Sequence, residues 1–126
     1  MEFKRTAENF LKSINDKDFK SLREFLPKSG PIVGIMCDGS ILDTVEEYIE
    51  FHEEWFEDTQ WSISHDIVFL EESSEMAYAV AESDYFDKDE DGEPYSMSLI
   101  TTCIMRLVEG QWVVTLFQQT ESQLDD

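Results

Sequence analysis

The segment WVVTLFQQT, residues 112–120, closes a run of four strand patterns that fills residues 61–120. In the first of these patterns, apolar residues alternate with polar ones from Trp61 to Phe69, and His65 falls on the apolar side. A period of two is typical of a half-buried strand, because successive side chains point to opposite faces of a sheet. The remaining strands are predicted at Met76 to Asp87, Tyr95 to Leu107 and Gln111 to Thr120, with a tight turn at Glu109-Gly110.

Helical spacing dominates the residues before this run. Apolar side chains recur at intervals of three and four from Phe3 to Ile14, which predicts a first helix. Asp18 is the predicted N-cap of a short second helix that Pro27 ends. A third helix is predicted to begin after a cap at Asp43 or Thr44.

One short strand is predicted between the second and third helices, from Pro31 to Cys37, with a turn at Asp38-Gly39. Helices followed by a meandering sheet indicate an α+β domain. We therefore predict three N-terminal helices packed on one face of a curved antiparallel sheet, which has four long strands and one short strand.

Length and composition predict one soluble domain over residues 1–126, ending in an acidic, frayed tail at Glu121 to Asp126. Apolar runs approaching the ~20 residues needed to cross a bilayer are absent from the sequence, so we expect a cytoplasmic protein. Cys37 and Cys103 lie alone in strand-like segments, which predicts two buried, reduced thiols.

Charge is distributed unevenly along the chain. The 9 basic and 29 acidic residues give a net charge of -20. Residues 1–28 hold seven basic and five acidic residues, which gives a net charge of +2. The other 98 residues hold two basic and 24 acidic residues, which gives a net charge of -22. A surface of this kind repels phosphate groups, so nucleic acid and anionic membranes are disfavoured as partners.

Three local patterns, in their order and spacing, resemble the nuclear transport factor 2-like superfamily. They are residues 15–18 (NDKD) before an apolar helix, the loop at 91–94 (DGEP), and residues 102–106 followed by EGQW at 109–112. This superfamily includes ketosteroid isomerases and SnoaL-like polyketide cyclases. The resemblance covers nearly the whole chain and implies a cone-shaped, cystatin-like α+β roll.

The same resemblance implies candidate catalytic residues, with departures from the family pattern. The family's last strand often carries two histidines, and the matching positions here are Leu116 and Gln118. An amide can orient a carbonyl ligand but cannot transfer protons as an imidazole does. In ketosteroid isomerases the general base is an aspartate before the third helix, and Asp38 falls near that place, where it is also an ordinary turn residue.

Two histidines are candidates on their own pattern. His52 falls on the apolar face of the third helix, and His65 on the apolar face of the first long strand, so both are expected inside, either as hydrogen-bonded core residues or as site residues. With His65 and Asp38 as candidate catalytic residues, we predict a hydrophobic pocket for a small ligand. Its expected ligand-binding residues are His52, Trp55, Phe56, Trp61, Tyr85, Trp112, Val114 and Gln118.

Neither of two metal-like patterns is complete, and no cofactor is expected. Residues 87–92 (DKDEDG) match the first half of a calcium loop, but the twelfth position is Ser98 instead of a bidentate glutamate, so a hairpin loop is the preferred interpretation. His52-Glu53-Glu54 resembles the start of a zinc-protease helix, but Phe56 occupies the place of the second histidine.

Three functions stay open from the sequence. The first is a non-catalytic, small-molecule-binding domain. The second is a cofactor-free isomerase, dehydratase or cyclase that acts on a small hydrophobic carbonyl compound. The third is a protein-interaction module. Relatives commonly dimerise through the sheet, and residues such as Tyr78, Val80, Met97 and Leu99 place apolar side chains on the central strands, so we also expect a homodimer.

Overall fold

The structure is a computed structural model, and it describes residues 2–28 and 30–122. It confirms the predicted α+β class, with three helices ahead of a long-stranded sheet. The elements, in chain order, are α1 (Phe3–Asn15), α2 (Phe19–Arg23), β1 (Val33–Ile35), β2 (Ile41–Leu42), α3 (Val45–Glu57), β3 (Ser62–Glu72), β4 (Met76–Lys88), β5 (Pro94–Val108) and β6 (Gln111–Glu121).

The sheet has six strands in the order β2-β1-β6-β5-β4-β3. The four long strands form an antiparallel meander, as predicted. Two features differ from the prediction. Ile41–Leu42 adds a second short strand, and β1 pairs in parallel with β6, so the sheet is not purely antiparallel. Two residues are too few to show a periodicity, and for that reason β2 could not be predicted.

Helices α2 and α3 begin where a polar side chain accepts a hydrogen bond from a backbone N–H group of the first turn, whereas α1 has no side-chain cap. The Asp18 carboxylate accepts from the Ser21 N–H at 3.2 Å, which confirms the predicted cap of α2. Thr44 caps α3 by accepting from the Glu47 N–H at 3.1 Å, and the Glu47 carboxylate accepts from the Asp43 N–H in return. Of the two predicted caps, the structure therefore selects Thr44.

The turn between β5 and β6 contains two residues with a positive φ. Glu109 and Gly110, with φ values of 50° and 80°, make the predicted two-residue turn between β5 and β6. The tail prediction is corrected in part, because Glu121 belongs to β6. Residues 123–126 of that tail lie outside the described residues.

Two β-bulges change which side chains face the helices. Val68 has no partner in β4, so the alternation of inward and outward side chains shifts by one residue. Phe69 therefore lies on the outer face of β3, where it is 65% exposed, and not on the predicted inner face. In β6 the unpaired residue is Thr115, since Ile104 pairs with Leu116 and Met105 with Val114. The inner face of β6 therefore continues at residues 117 and 119.

The core lies between the helices and the inner face of the sheet. Phe10 of α1 contacts Phe117 of β6, with ring centroids 5.8 Å apart, and Tyr48 of α3 contacts the same ring at 6.3 Å. Cys103 is buried as predicted, but the prediction for Cys37 was wrong: it is exposed, because β1 already ends at Ile35. Among the described residues, no helix is long and apolar enough to cross a bilayer.

Candidate functional site

Five of the predicted ligand-binding residues form one aromatic cluster between α3, β3 and β4. These are His52, Trp55, Phe56, Trp61 and Tyr85. The Trp55 and Trp61 rings stack with centroids 4.2 Å apart, and Trp61 also stacks on Tyr85 at 6.2 Å. His52 contacts the edges of Trp55 and Phe56, each at 5.7 Å.

Trp112 and Val114 lie on the same inner face but outside this cluster. The Trp112 ring packs against Phe3 near the start of α1, with centroids 5.3 Å apart. The Val114 N–H donates to the Phe25 carbonyl at 2.8 Å, which fixes β6 to the segment after α2. Both side chains are buried, so the structure places them in the core.

His52 is fully buried, and its hydrogen bond fixes its tautomer. Nδ1 lies 3.0 Å from the Tyr48 carbonyl, which can only accept, so Nδ1 carries the proton and donates. Burial lowers the pKa of His52 from its ordinary 6.5 to about 4, so the ring is neutral at neutral pH. Its Nε2 is then an acceptor, and it has no hydrogen-bond partner among the described residues.

His65 is held in the opposite tautomer by α1. The Asn15 amide lies 2.6 Å from His65 Nδ1, and its nitrogen faces the ring, because the Leu11 and Ile63 carbonyls, which can only accept, lie 3.2 Å from the same amide atom. Nδ1 then accepts, and Nε2 bears the proton. Burial lowers the pKa of His65 to about 4, and its Nε2, a donor, lacks a partner among the described residues.

A row of polar side chains crosses the inner face of the sheet from His65, one from each long strand. His65 pairs with Ser83 across β3 and β4, the Ser83 and Thr101 hydroxyls hydrogen-bond at 3.0 Å, and Thr101 pairs with Gln119 across β5 and β6. Gln119 is 5% exposed, and its Nε2 has no partner among residues 2–28 and 30–122. We call these four residues the inner polar row.

Tyr48 adds a hydroxyl from α3. Its ring stacks on His52 at 4.2 Å and lies over Gly34, where an added Cβ would be 3.3 Å from Tyr48 Cδ2. The hydroxyl is fully buried without a partner in the described part of the chain, and burial raises the pKa of Tyr48 well above its ordinary value. An unpaired buried polar atom costs about 1–3 kcal/mol.

Two predicted site residues lie away from this surface. Gln118 faces outward, because the bulge at Thr115 puts Gln119 on the inner face instead, and its amide donates to Thr120 at 3.3 Å. Asp38 occupies an exposed turn, where its carboxylate accepts from the Ser40 N–H at 2.8 Å. Hydrogen bonds from Ser40 lower the pKa of Asp38, which makes it a weaker base.

A cleft of about 560 Å³ between α1 and β3 reaches this surface from solvent. His65 and Asn15 line it together with Leu11, Ile67 and Leu70, and the charged Lys4, Glu8, Lys12 and Asp66 belong to the same lining. The side chain that begins the inner polar row therefore also forms a wall of an open cleft.

Three helices on one side of a long-stranded sheet agree with the α+β roll that the sequence resemblance implied. The model of the SnoaL-like domain family matches residues 4–124. This chain belongs to the SnoaL-like domain family. A search of curated proteins gives no match.

Solved structures similar to this SnoaL-like domain share its fold at low sequence identity. A ketosteroid isomerase-like protein from Erwinia carotovora atroseptica is 13% identical, with a TM-score of 0.79 over 96% of this chain and 94% of that one. A nuclear transport factor 2-like superfamily protein from Salmonella enterica is 12% identical, with a TM-score of 0.77 over 95% and 88%. The association domain of CaMKII from C. elegans is 17% identical, with a TM-score of 0.65 over 94% and 92%. These similarities confirm the predicted fold.

Metal-ligating groups do not converge in the described part of this SnoaL-like domain, where no three His, Cys, Asp or Glu side chains could hold one ion. In the loop at residues 87–92, which resembles the first half of a calcium site, the Asp89 carboxylate accepts from the N–H groups of Asp91 and Glu93, each at 2.9 Å. That carboxylate serves to shape the hairpin.

Sequence reasoning missed Tyr48 and Gln119 as site residues. Tyr48 lies on the apolar face of α3, where an aromatic residue is expected in the core, and its signal is Gly34, whose missing side chain leaves room for a ring. Gln119 had no usable signal, since a bulge is set by pairing between strands and not by local alternation.

Proposed function

We propose that this SnoaL-like domain binds a small, uncharged molecule between α3, α1 and the inner face of the sheet. One observation carries the proposal: on the inner side of the sheet, four buried polar atoms have no partner among the described residues. They are Tyr48 Oη, His52 Nε2, His65 Nε2 and Gln119 Nε2. Because almost all buried polar groups in proteins are hydrogen-bonded, such a set on one surface favours a ligand that supplies the missing partners.

The tautomers define what that ligand offers. His65 Nε2–H and the Gln119 amide are donors and require an acceptor such as a carbonyl oxygen. His52 Nε2 is an acceptor and requires a donor such as a hydroxyl group. The neighbouring Trp55 and Trp61 rings favour an apolar or aromatic body. A hydrophobic hydroxy-carbonyl compound meets all three requirements.

Entry through the α1–β3 cleft fits the same proposal. His65 belongs both to the cleft and to the inner polar row, so a ligand entering there meets the His65 ring first. Ser83 and Thr101 continue the polar surface inward from that point. Asn15 fixes the ring of His65, which keeps its donor in one orientation.

Binding without chemistry is favoured over acid/base catalysis. With pKa values of about 4, His52 and His65 are far weaker bases than an imidazole whose pKa lies near neutral pH. Asp38, the other candidate base, is exposed and held by Ser40. Isomerase, dehydratase or cyclase activity is the alternative, and a turnover that rises with pH through about 4 and depends on His65 would establish it.

Native mass spectrometry of gently purified protein tests binding without knowledge of the ligand. We expect an adduct of a few hundred daltons on the wild type, lost in Gln119→Leu and kept in Gln118→Leu, which changes a similar amide on the outer face. Equal adducts on both variants would refute the role of the inner polar row, and a wild type without an adduct would argue against a bound ligand.

We also propose a homodimer through the outer face of the sheet. Phe69 and Tyr78, 65% and 41% exposed, lie there beside the partly buried Val80, Ile104 and Leu116. An apolar band of this kind is typical of an interaction surface. Sedimentation at micromolar concentration should show a dimer for the wild type and a monomer for Tyr78→Glu, and a monomeric wild type would refute this assembly.

A further inference from the structure

A second depression, separate from the inner polar row, collects three of the nine basic residues of the chain. It is a groove of about 1140 Å³ between the segment after α2 and the β5–β6 hairpin. Arg23, Lys28 and Arg106 line it, and only Lys88 and Arg106 follow Lys28 in the whole sequence. We call it the cationic groove.

None of its three cations pairs with a carboxylate in the described part of the chain. The single ion pair there joins Lys12 and Asp16, far from the groove. Glu24 and Glu109 also line the groove, which leaves a formal net charge of +1 in a protein of -20. An anion repelled by the rest of the surface is therefore attracted here.

Arg106 is the central group of the groove. It lies on the outer face of β5 and its guanidinium reaches Gly30, where an added Cβ would stand 3.0 Å from Nη2. Its Nε is buried and has no partner among the described residues. A guanidinium presents its donors in a planar fork that matches an oxyanion, and a buried donor without an acceptor is unfavourable.

Apolar side chains form much of the remaining lining, beside the polar Thr6, Asn9 and Gln111. Phe25, Leu26 and Pro27 come from the segment after α2, and Val108 and Val113 from the hairpin. The volume exceeds that of a typical small-ligand pocket, about 300–1,000 Å³. A ligand that fills this groove has an extended apolar body in addition to its charged head.

We propose that the cationic groove binds an amphiphilic organic anion, with its oxyanion head on Arg106 and Lys28 and its apolar chain along Phe25 and Val113. A carboxylate and a phosphate monoester share this head chemistry. The groove shares no lining residue with the inner polar row or the aromatic cluster, so it is a site distinct from the proposed hydroxy-carbonyl site.

The test uses the three tryptophan indole signals in ¹H–¹⁵N spectra, because Trp112 lines the groove whereas Trp55 and Trp61 lie in the aromatic cluster. We expect octanoate or octyl phosphate to shift the Trp112 signal saturably, with Trp55 and Trp61 unchanged. Whichever probe binds more tightly identifies the head group. Octanol, which has the same chain without the charge, should bind at least about tenfold more weakly.

Variants decide whether the cations act as proposed. Arg106→Gln and Lys28→Gln should each weaken binding by about tenfold or more, and Lys88→Gln, which removes the same charge outside the groove, should not. Unchanged Trp55 and Trp61 signals in the free variants verify folding, and Lys28→Gln keeps the test decisive if Arg106→Gln fails to fold. The proposal would be overturned if octanol bound as tightly as the anions, or if Lys28→Gln bound them as tightly as the wild type. It would also be overturned if the anions shifted the Trp55 or Trp61 signal instead of the Trp112 signal, or if neither anion caused a shift.

Discussion

Replacing His52 with glutamine should remove a specific loss of stability in mild acid. Glutamine keeps an amide that can donate to the Tyr48 carbonyl, but it does not titrate. In the folded protein the pKa of His52 is lowered to about 4, whereas in the unfolded chain it returns to about 6.5. The unfolded state therefore binds the proton first as the pH falls.

The sign and size of the effect follow from that difference. The contribution of His52 to the free energy of unfolding is fully present above about pH 6.5 and is lost progressively as the pH falls toward 4. Between about pH 7.5 and pH 5 the loss amounts to about 2 kcal/mol for this one residue. His65, with its pKa lowered similarly, should add a loss of the same order.

Urea unfolding followed by circular dichroism, at a series of pH values, measures this loss. Subtracting the His52→Gln curve from the wild-type curve cancels the titration of the many carboxylates and the relief of charge repulsion. The chain has only two histidines, so a His52→Gln, His65→Gln double variant is the baseline for both. The difference in free energy of unfolding between wild type and variant should fall between pH 7.5 and 5. If it stays flat or rises as the pH falls, His52 is not a neutral, buried ring.

Further predictions concern packing, the inner polar row and the hairpin loop. Gly34→Ala should lower the free energy of unfolding by about 1–2 kcal/mol, because the new methyl group presses on the Tyr48 ring 3.3 Å away, and urea unfolding measures it. Gln119→Leu should raise the stability of the ligand-free protein by about 1 kcal/mol, since it removes an unpaired buried amide, whereas Gln118→Leu should change it by less than about 0.5 kcal/mol. Millimolar calcium should leave the melting temperature unchanged, because the loop at residues 87–92 lacks a converging set of ligands, and a clear rise would show a site there.

Local patterns predicted most of the architecture because they depend on neighbouring residues alone. Asp18 caps a helix through its own first turn, and Glu109-Gly110 turns a hairpin through its own dihedral angles. The alternation from Trp61 placed His65 on the inner face before any contact was known. Each of these signals is complete within a few residues, so the sequence suffices.

What could not be predicted depends on pairing between distant segments. The bulges at Val68 and Thr115 reverse the alternation of inward and outward side chains in the residues that follow them. As a result, Phe69 faces outward, and Gln119 instead of Gln118 lies on the inner face. The hydrogen bond between Asn15 and His65 joins residues 50 positions apart. The candidate site was therefore predicted in its aromatic part and missed in much of its polar part.

In the proposed site, His52 presents one acceptor and His65 one donor to a ligand on the inner face. Histidine ¹⁵N spectra of the labelled protein at neutral pH, recorded while para-hydroxyacetophenone is added, test it most directly. We expect two neutral rings, protonated at Nδ1 in His52 and at Nε2 in His65, and a saturable shift of both Nε2 signals. The proposed arrangement is wrong if both rings have the same tautomer, if either ring is charged, or if the Nε2 signals do not respond to the added compound.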